Sequence, residues 1–298
     1  MSARLRNLAR ENERIFAEGG YASGGGGFVP LADAISAAAD GTRMFGPEPV
    51  PVPRESGGGA AARCTVTGES STQAARRLTA GSGNASSGNA SSRDADGGPV
   101  AVLNFASARN PGGGYVNGAQ AQEEALCRAS ALYPCLLRAP EYYAHHRAVR
   151  DPFYSDRVIH SPGVPVFRDD RGALLDRPYR ADFLTCPAPN AGVIARTMPE
   201  RSDEIGPALD ARAERVLEVA VAHGYRRLVL GAWGCGVFQN EPARVAAAFA
   251  RLLTGGGRFV RAVDEVVFAV LDRRADSPTR AAFAAAFAAP PQDAAPAR

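Results

Sequence analysis

Two adjacent acids at the head of one helical run are the residues in this chain best placed to do chemistry. Gln122-Glu123-Glu124 begins a run with Leu126 and Ala129 on one side, and seven residues separate it from Gly112-Gly113-Gly114. Neighbouring residues on a helix point ~100° apart, so adjacent carboxylates rarely share a site. In the first turn, where the chain is only half committed to helix, they can. The plainer alternative is that acids favour helix N-termini, where they complement the macrodipole by ~0.3–1 kcal/mol. The glycines upstream weigh against it. Glycines that follow a strand let backbone amides approach a phosphate, and a carboxylic acid beside a bound sugar is what glycosidic cleavage requires.

A second loop of the same kind, Gly231-Ala232-Trp233-Gly234-Cys235-Gly236-Val237-Phe238, follows another apolar stretch. Two such loops, each leading towards a helix N-terminus, suggest a diphosphate held from both sides. Neither reads G-x-G-x-x-G with a following acid, nor G-x-x-x-x-G-K-S/T, so a different diphosphate fold is needed. Other candidates carry less. His145-His146, His160 and His223 lack metal-ligand spacing and read as surface or capping residues. Cys235 has no activating histidine nearby in sequence and reads as a small loop residue. Trp233 reads as packing beneath its loop, Asp169-Asp170 as a hairpin turn. Gly81-Ser82-Gly83 has no apolar strand leading into it, which makes it weak as a phosphate loop.

The elements that must position these groups follow from the pattern of apolar residues. Helices are expected over 3–18, 31–39, 71–78 (capped by Ser70 or Ser71), 122–132, 207–223, 242–253 and 278–287. Pro134 should end the fourth of these. Strands are expected over 63–67, 100–106, 182–186, 227–231 and 265–271, with short extended pieces at Val158, Val164 and Val166. Alternation of strands and helices predicts a three-layer α/β/α sandwich around a mixed sheet. Ligands in such sheets sit at the carboxyl ends of the strands, so both glycine loops should meet at one edge. We expect one catalytic domain over 1–298. Residues 1–60 form a helical N-terminal extension, 79–98 a flexible Gly/Ser/Asn surface insertion, and 290–298 a disordered tail.

Bulk composition narrows the chemistry. The 298 residues are 45% apolar and 22% charged, enough for a sizeable core, and the net charge of +3 is too small to argue for nucleic acid. All the positive side-chain charge apart from histidine is Arg, because the chain has no Lys. That excludes P-loop, Schiff-base and PLP mechanisms. Five scattered cysteines without a CxxC fit a reducing cytoplasm. Met1 to Glu18 mixes Arg and Glu and lacks the apolar run of a signal peptide, and no stretch approaches a ~20-residue membrane span.

With these residues in view, the chain resembles the poly(ADP-ribose) glycohydrolase family, most closely its compact bacterial type, a macrodomain with an added N-terminal helical part. The resemblance rests on Asn104-Phe105-Ala106-Ser107-Ala108-Arg109-Asn110-Pro111-Gly112-Gly113-Gly114 followed by Gln122-Glu123-Glu124. It extends through 162–169, Ala188-Pro189-Asn190-Ala191-Gly192 and 231–238, and covers roughly residues 3–290. It implies that Glu124 is the general acid/base, that Glu123 binds the ribose hydroxyls and that Gln122 supports this geometry. It further implies substrate contacts from Asn104, Ala106, Asn110, Gly112, Gly113 and Gly114, and from Gly231, Gly234, Cys235, Gly236 and Val237. Phe238 packs on the adenosine side or, about as plausibly, in the core.

The implied substrate is poly(ADP-ribose) or ADP-ribosylated protein, cut from the free end, with ADP-ribose as product. No cofactor or metal is required, and the expected state is a monomer with no membrane or sequence-specific nucleic-acid partner. The implied setting is a bacterial cytoplasm and the DNA damage response. Glu124 would protonate the leaving 2′-oxygen and then activate water, with burial, Glu123 and the substrate diphosphate pushing its pKa upward. A non-catalytic ADP-ribose reader would share the glycine loops without needing both glutamates. Mono-ADP-ribosyl conjugates share the ribose chemistry and are not separated by the sequence.

Overall fold

In the computed structural model, residues 2–52, 60–80, 98–272 and 274–288 are described. Most of the 79–98 insertion, with Gly81-Ser82-Gly83, and the tail from 290 lie outside them. The chain begins with α1 (Ala3–Glu18), a small hairpin of β1 (Gly20–Ala22) and β2 (Phe28–Pro30), α2 (Ala32–Gly41) and β3 (Arg43–Phe45). Next come β4 (Arg63–Thr67), α3 (Ser71–Ala80), β5 (Val100–Phe105), α4 (Gln122–Ala129), α5 (Leu132–Leu136) and α6 (Pro140–Val149). The long hairpin β6 (Val158–Arg168) and β7 (Leu174–Cys186) leads to α7 (Ala191–Thr197) and α8 (Ile205–Ala222). The chain closes with β8 (Arg227–Gly231), α9 (Pro242–Leu253), β9 (Glu265–Ala269) and α10 (Pro278–Phe287).

Seven strands form one mixed sheet in the order β3-β6-β7-β5-β8-β9-β4, antiparallel only where β6 meets β7 and β3. The central strands are apolar on both sides, as a sheet covered by helices demands. Along β5, Val100 and Val102 enter the core beneath α1–α6, while Ala101 and Leu103 enter the core beneath α8–α10. This is the expected three-layer sandwich. The same alternation places Asn104 on the face of Val102, which is the α4 face. Because β7, β5 and β8 are adjacent and parallel, both glycine loops leave the sheet along one edge.

Ser70 caps α3 through a capping box: its Oγ accepts from Gln73 N–H at 3.1 Å and its own N–H donates to Gln73 Oε1 at 3.1 Å. Several elements depart from the sequence expectation. The helix from Gln122 ends at Ala129, because Ser130 turns extended and bridges Val166. Pro134 does not stop that helix; it sits in the first turn of α5, where a missing N–H costs nothing. The pieces around Val158 and Val166 are one 11-residue strand, with a register shift between Ser161 and Val164 that absorbs Pro162 and Gly163. The strand expected at Asp182 begins at Leu174, α6 was not anticipated, and β9 stops at Ala269.

The first sixty residues are not wholly helical, since β3 pairs with β6 at the sheet edge. Their helix α1 is tied to the helix of the acids. Fully buried Asn12 donates to the carbonyls of Cys127 (3.3 Å) and Arg128 (2.9 Å), which have no partner within α4's own last turn, and accepts from Arg168 Nε at 2.8 Å.

Candidate active site

The site is built outward from the end of β5. Gln122 starts α4 and its side-chain amide acts as a short added strand. Its Oε1 accepts from Phe105 N–H (2.9 Å), while its Nε2 donates to Leu103 O (2.8 Å) and to Ser71 Oγ (3.1 Å). The first turn of α4 is thereby fixed to the exit of the central strand. Asn104, with no exposed surface, donates through Nδ2 to Glu123 Oε1 (3.2 Å) and Thr185 Oγ1 (3.1 Å).

Both glutamates are buried, Glu123 to 3% exposure and Glu124 to 8%. Glu123 is held at both oxygens, Oε1 by Asn104 and Oε2 by Ser107 N–H at 2.6 Å. Glu124 accepts at Oε1 from Gly114 N–H at 2.9 Å; among the described residues its Oε2 has no hydrogen bond. Burial pushes the Glu123 carboxyl up to about 8. The Ser107, Asn104 and Gly112 donors pull the other way, and the charge of Glu124 adds to the rise.

The triple glycine wraps these carboxylates, and the space around it leaves no room for side chains. Gly113 is left-handed (φ +58°), and a Cβ on it would stand 2.6 Å from Glu124 Oε1 and 3.1 Å from Glu123 Oε2. Both carboxylates therefore face one small volume beside the Gly113 backbone. A Cβ on Gly112 (φ +65°) would meet the Tyr133 ring at 2.9 Å, and one on Gly114 would meet Ala119 at 2.6 Å. Arg128 braces the same turn by donating to Ala119 O at 2.8 Å.

The second loop is latched to the end of β7. Trp233 is fully buried beneath it and donates from Nε1 to Cys186 O at 2.9 Å. Asn240 donates to Pro189 O (2.8 Å) and Gly234 O (3.1 Å). A Cβ on Gly234 (φ +72°) would lie 2.4 Å from Ala188. Gly231 closes β8, Gly236 and Val237 form the exposed crest, and half-buried Phe238 faces Tyr154 with ring centroids 5.7 Å apart. Burial pushes the Cys235 thiol up to about 12, which disfavours the reactive thiolate.

The remaining sequence candidates fall nearby. Ala106 is buried and continues the ladder to Cys186 O at 3.3 Å. Asn110 is exposed, and its carbonyl accepts from Gly113 N–H at 3.0 Å. The histidine reading needs correction, since His146 and His160 are buried. Burial pushes them down to about 4 and about 3, and they bond Ser155 Oγ (2.8 Å) and Tyr225 OH (2.7 Å) respectively. Sequence reasoning passed over Tyr154 and Arg109. Tyr154 has a left-handed backbone (φ +59°), and the Arg109 guanidinium lies 5.9 Å from its ring centroid, so the two bridge the glycine loops. Nothing in their local spacing marks them.

Comparison with known proteins places this geometry in a family. A family model described as the catalytic domain of microbial-type PARG, poly(ADP-ribose) glycohydrolase, matches residues 9–169. The poly(ADP-ribose) glycohydrolase of Thermomonospora curvata is 47% identical, covers 96% of this chain and all of its own, and superposes with a TM-score of 0.86. The same protein bound to the inhibitor ADP-HPD gives 0.82 at the same identity and coverage. The Deinococcus radiodurans enzyme in complex with ADP-ribose is 42% identical over 87% of this chain and 98% of its own, with a TM-score of 0.71. A comparison with curated proteins gave no match. With the QEE pair, the triple-glycine turn and the sheet edge all in place, the chain belongs to the microbial-type poly(ADP-ribose) glycohydrolase family.

Proposed function

We propose that this protein releases ADP-ribose from poly(ADP-ribose), its family's activity, with Glu124 as general acid/base and Glu123 as the residue that holds the sugar. The carrying observation is the unequal engagement of the two carboxyls. Both oxygens of Glu123 are occupied by donors, whereas Glu124 keeps Oε2 unbonded among the described residues. A fully held carboxylate orients hydroxyls; a free oxygen can give and take a proton.

The two carboxyls face one volume, so they do not straddle the bond as an inverting pair ~6.5–9.5 Å apart would. One residue must therefore serve both steps. Glu124 gives its proton to the departing 2′-oxygen as the C1″–O bond breaks, and the ribose becomes oxocarbenium-like. The ionised Glu124 then takes a proton from a water, whose oxygen bonds to C1″. Burial lifts the Glu123 carboxyl to about 8, so the coupled pair holds a proton to higher pH than an isolated carboxyl would.

That relatives are described in complex with ADP-HPD and with ADP-ribose supports ADP-ribose binding here, and the edge formed by the two loops is proposed as its site on the geometry described above. Asn104, Ala106, Asn110, Gln122 and the glycines 112–114 would border the distal ribose, and 231–238 the diphosphate. Action at the free end of the polymer is proposed from the family resemblance. Cysteine usage and the resemblance support a cytoplasmic place in the DNA damage response. Among the described residues no helix is long and apolar enough to cross a membrane.

The test is release of ADP-ribose from labelled polymer by wild type and by Glu124→Gln. Release by wild type and none by the variant is the expected result. Equal release by both would reject the role of Glu124, and ADP-ribose binding by wild type without turnover would reject hydrolysis.

A further inference from the structure

Among the described residues, three other than glycine have a left-handed backbone: Arg150, Tyr154 and Gln239. Two of them adjoin one ring. Tyr154 (φ +59°) faces Phe238 with centroids 5.7 Å apart, and Gln239 (φ +59°) follows Phe238 in the chain. A bulky aromatic residue keeps such a backbone only where its surroundings over-determine it, and positions of this kind cluster at functional sites.

The surroundings of Tyr154 do over-determine it. The Arg109 guanidinium lies over its ring, 5.9 Å from the centroid. The His146 imidazole meets the ring nearly at right angles, 5.8 Å between centroids. That imidazole is itself fixed, with its two nitrogens 2.9 Å from Tyr142 O and 2.8 Å from Ser155 Oγ. Phe238 is the remaining aromatic neighbour. The backbone repeats the same connection. Tyr154 N–H donates to Asp151 O at 3.1 Å, Asn190 N–H to Pro152 O at 2.8 Å, and Gly192 N–H to Phe238 O at 3.0 Å. The turn at 151–154, the start of α7 and the end of the second glycine loop are thus laced into one unit. Val237, directly before Phe238, is 80% exposed. The anchorage therefore reaches the crest of that loop through Phe238.

We propose that Tyr154 is a positioning residue for the bound ADP-ribose unit: its ring sets where Phe238, and with it the crest of the 231–238 loop, stands against the ligand. It acts through Phe238 and touches no reacting atom. The proposal rests on the reading of 231–238 as the loop that borders the ligand and deepens it.

The experiment compares wild type, Tyr154→Phe, Tyr154→Gly, Tyr154→Asn, Phe238→Leu and the double variant Tyr154→Gly/Phe238→Leu. It measures ADP-ribose affinity by calorimetry, and kcat and KM for release of ADP-ribose from the polymer. Glycine and asparagine both accept a left-handed φ, so either removes the ring without adding backbone strain, and the second serves if the first misfolds. For both, ADP-ribose affinity falls about fivefold, the order of one lost aromatic pair. KM rises by a similar factor and kcat stays near the wild-type value. A merely structural defect would lower the active fraction, and so kcat, and leave KM unmoved. Tyr154→Phe keeps the ring and wild-type affinity. Phe238→Leu also weakens binding, and adding Tyr154→Gly to it brings no further loss, because the tyrosine acts through a ring already removed.

Wild-type affinity in Tyr154→Gly and Tyr154→Asn would overturn the proposal. So would losses that add in the double variant, which would make the two rings independent. Wild-type affinity in Phe238→Leu would instead reject the reading of 231–238 as the ligand loop, and this proposal with it.

Discussion

At the scale of single residues, the burial of Glu123 sets a pH dependence whose sign can be worked out. Its carboxyl sits at about 8 in the folded chain, against an ordinary value of 4.5. The neutral form is therefore favoured by folding, and its contribution to stability is intact below pH 4.5. That contribution is lost as pH rises towards 8, at up to ~1.4 kcal/mol per pH unit. Glu123→Gln removes the titration, and Asn104 can accept the new amide by turning its unpartnered Oδ1 towards it. In thermal melts from pH 5 to pH 8.5, wild type should lose stability relative to Glu123→Gln progressively; parallel curves would contradict the burial argument. Gly113→Ala acts on geometry instead. The new Cβ would press on both carboxylates, and φ +58° costs an alanine ~1–2 kcal/mol. The expected result is a folded protein whose kcat falls ~100-fold or more through misplacement of the acids, checked by single-turnover rates beside a melt.

At the scale of elements, α4 is held at both ends by side chains from distant segments. Gln122 pins its start to β5, and Asn12 of α1 satisfies carbonyls at its finish. Asn12→Ala leaves those carbonyls and Arg168 Nε short of a partner, at ~1–3 kcal/mol for a buried group. We expect a lower melting temperature, by about 5 °C, and faster amide exchange in α4 than in α9, which Asn12 does not touch. Uniform exchange in the two helices would refute the clamp. This element scale is also where the sequence was least legible. Gln122-Glu123-Glu124 and the triple glycine announce their chemistry because their spacing is local. The role of Asn12 depends on a partner more than a hundred residues away. The helix α6 was missed because its polar residues hide Tyr142 and Tyr143, both fully buried. β6 was read as fragments because Pro162 and Gly163 look like a break and are in fact the irregularity of one strand.

At the scale of the whole molecule, the layer order was legible because strands buried on both faces read as short apolar runs, and the runs alternate with helical patterns. The strand order was not. β4 looks like the opening strand of a sheet, yet its partner is β9, with Arg63 opposite Glu265 and an ion pair of 2.8 Å between them. That pairing sets a timetable for a chain emerging from the ribosome. β4 leaves early and waits through some two hundred further residues for the strand it lies against, while β8 exposes the edge that β9 will cover. A message cut short before Glu265 would yield a polypeptide that already holds Gln122-Glu123-Glu124 and both glycine loops but carries two bare strand edges, the kind of surface on which chains aggregate. Full-length synthesis is thus enforced by the sheet, although the C-terminal strand contributes none of the residues proposed to touch the substrate.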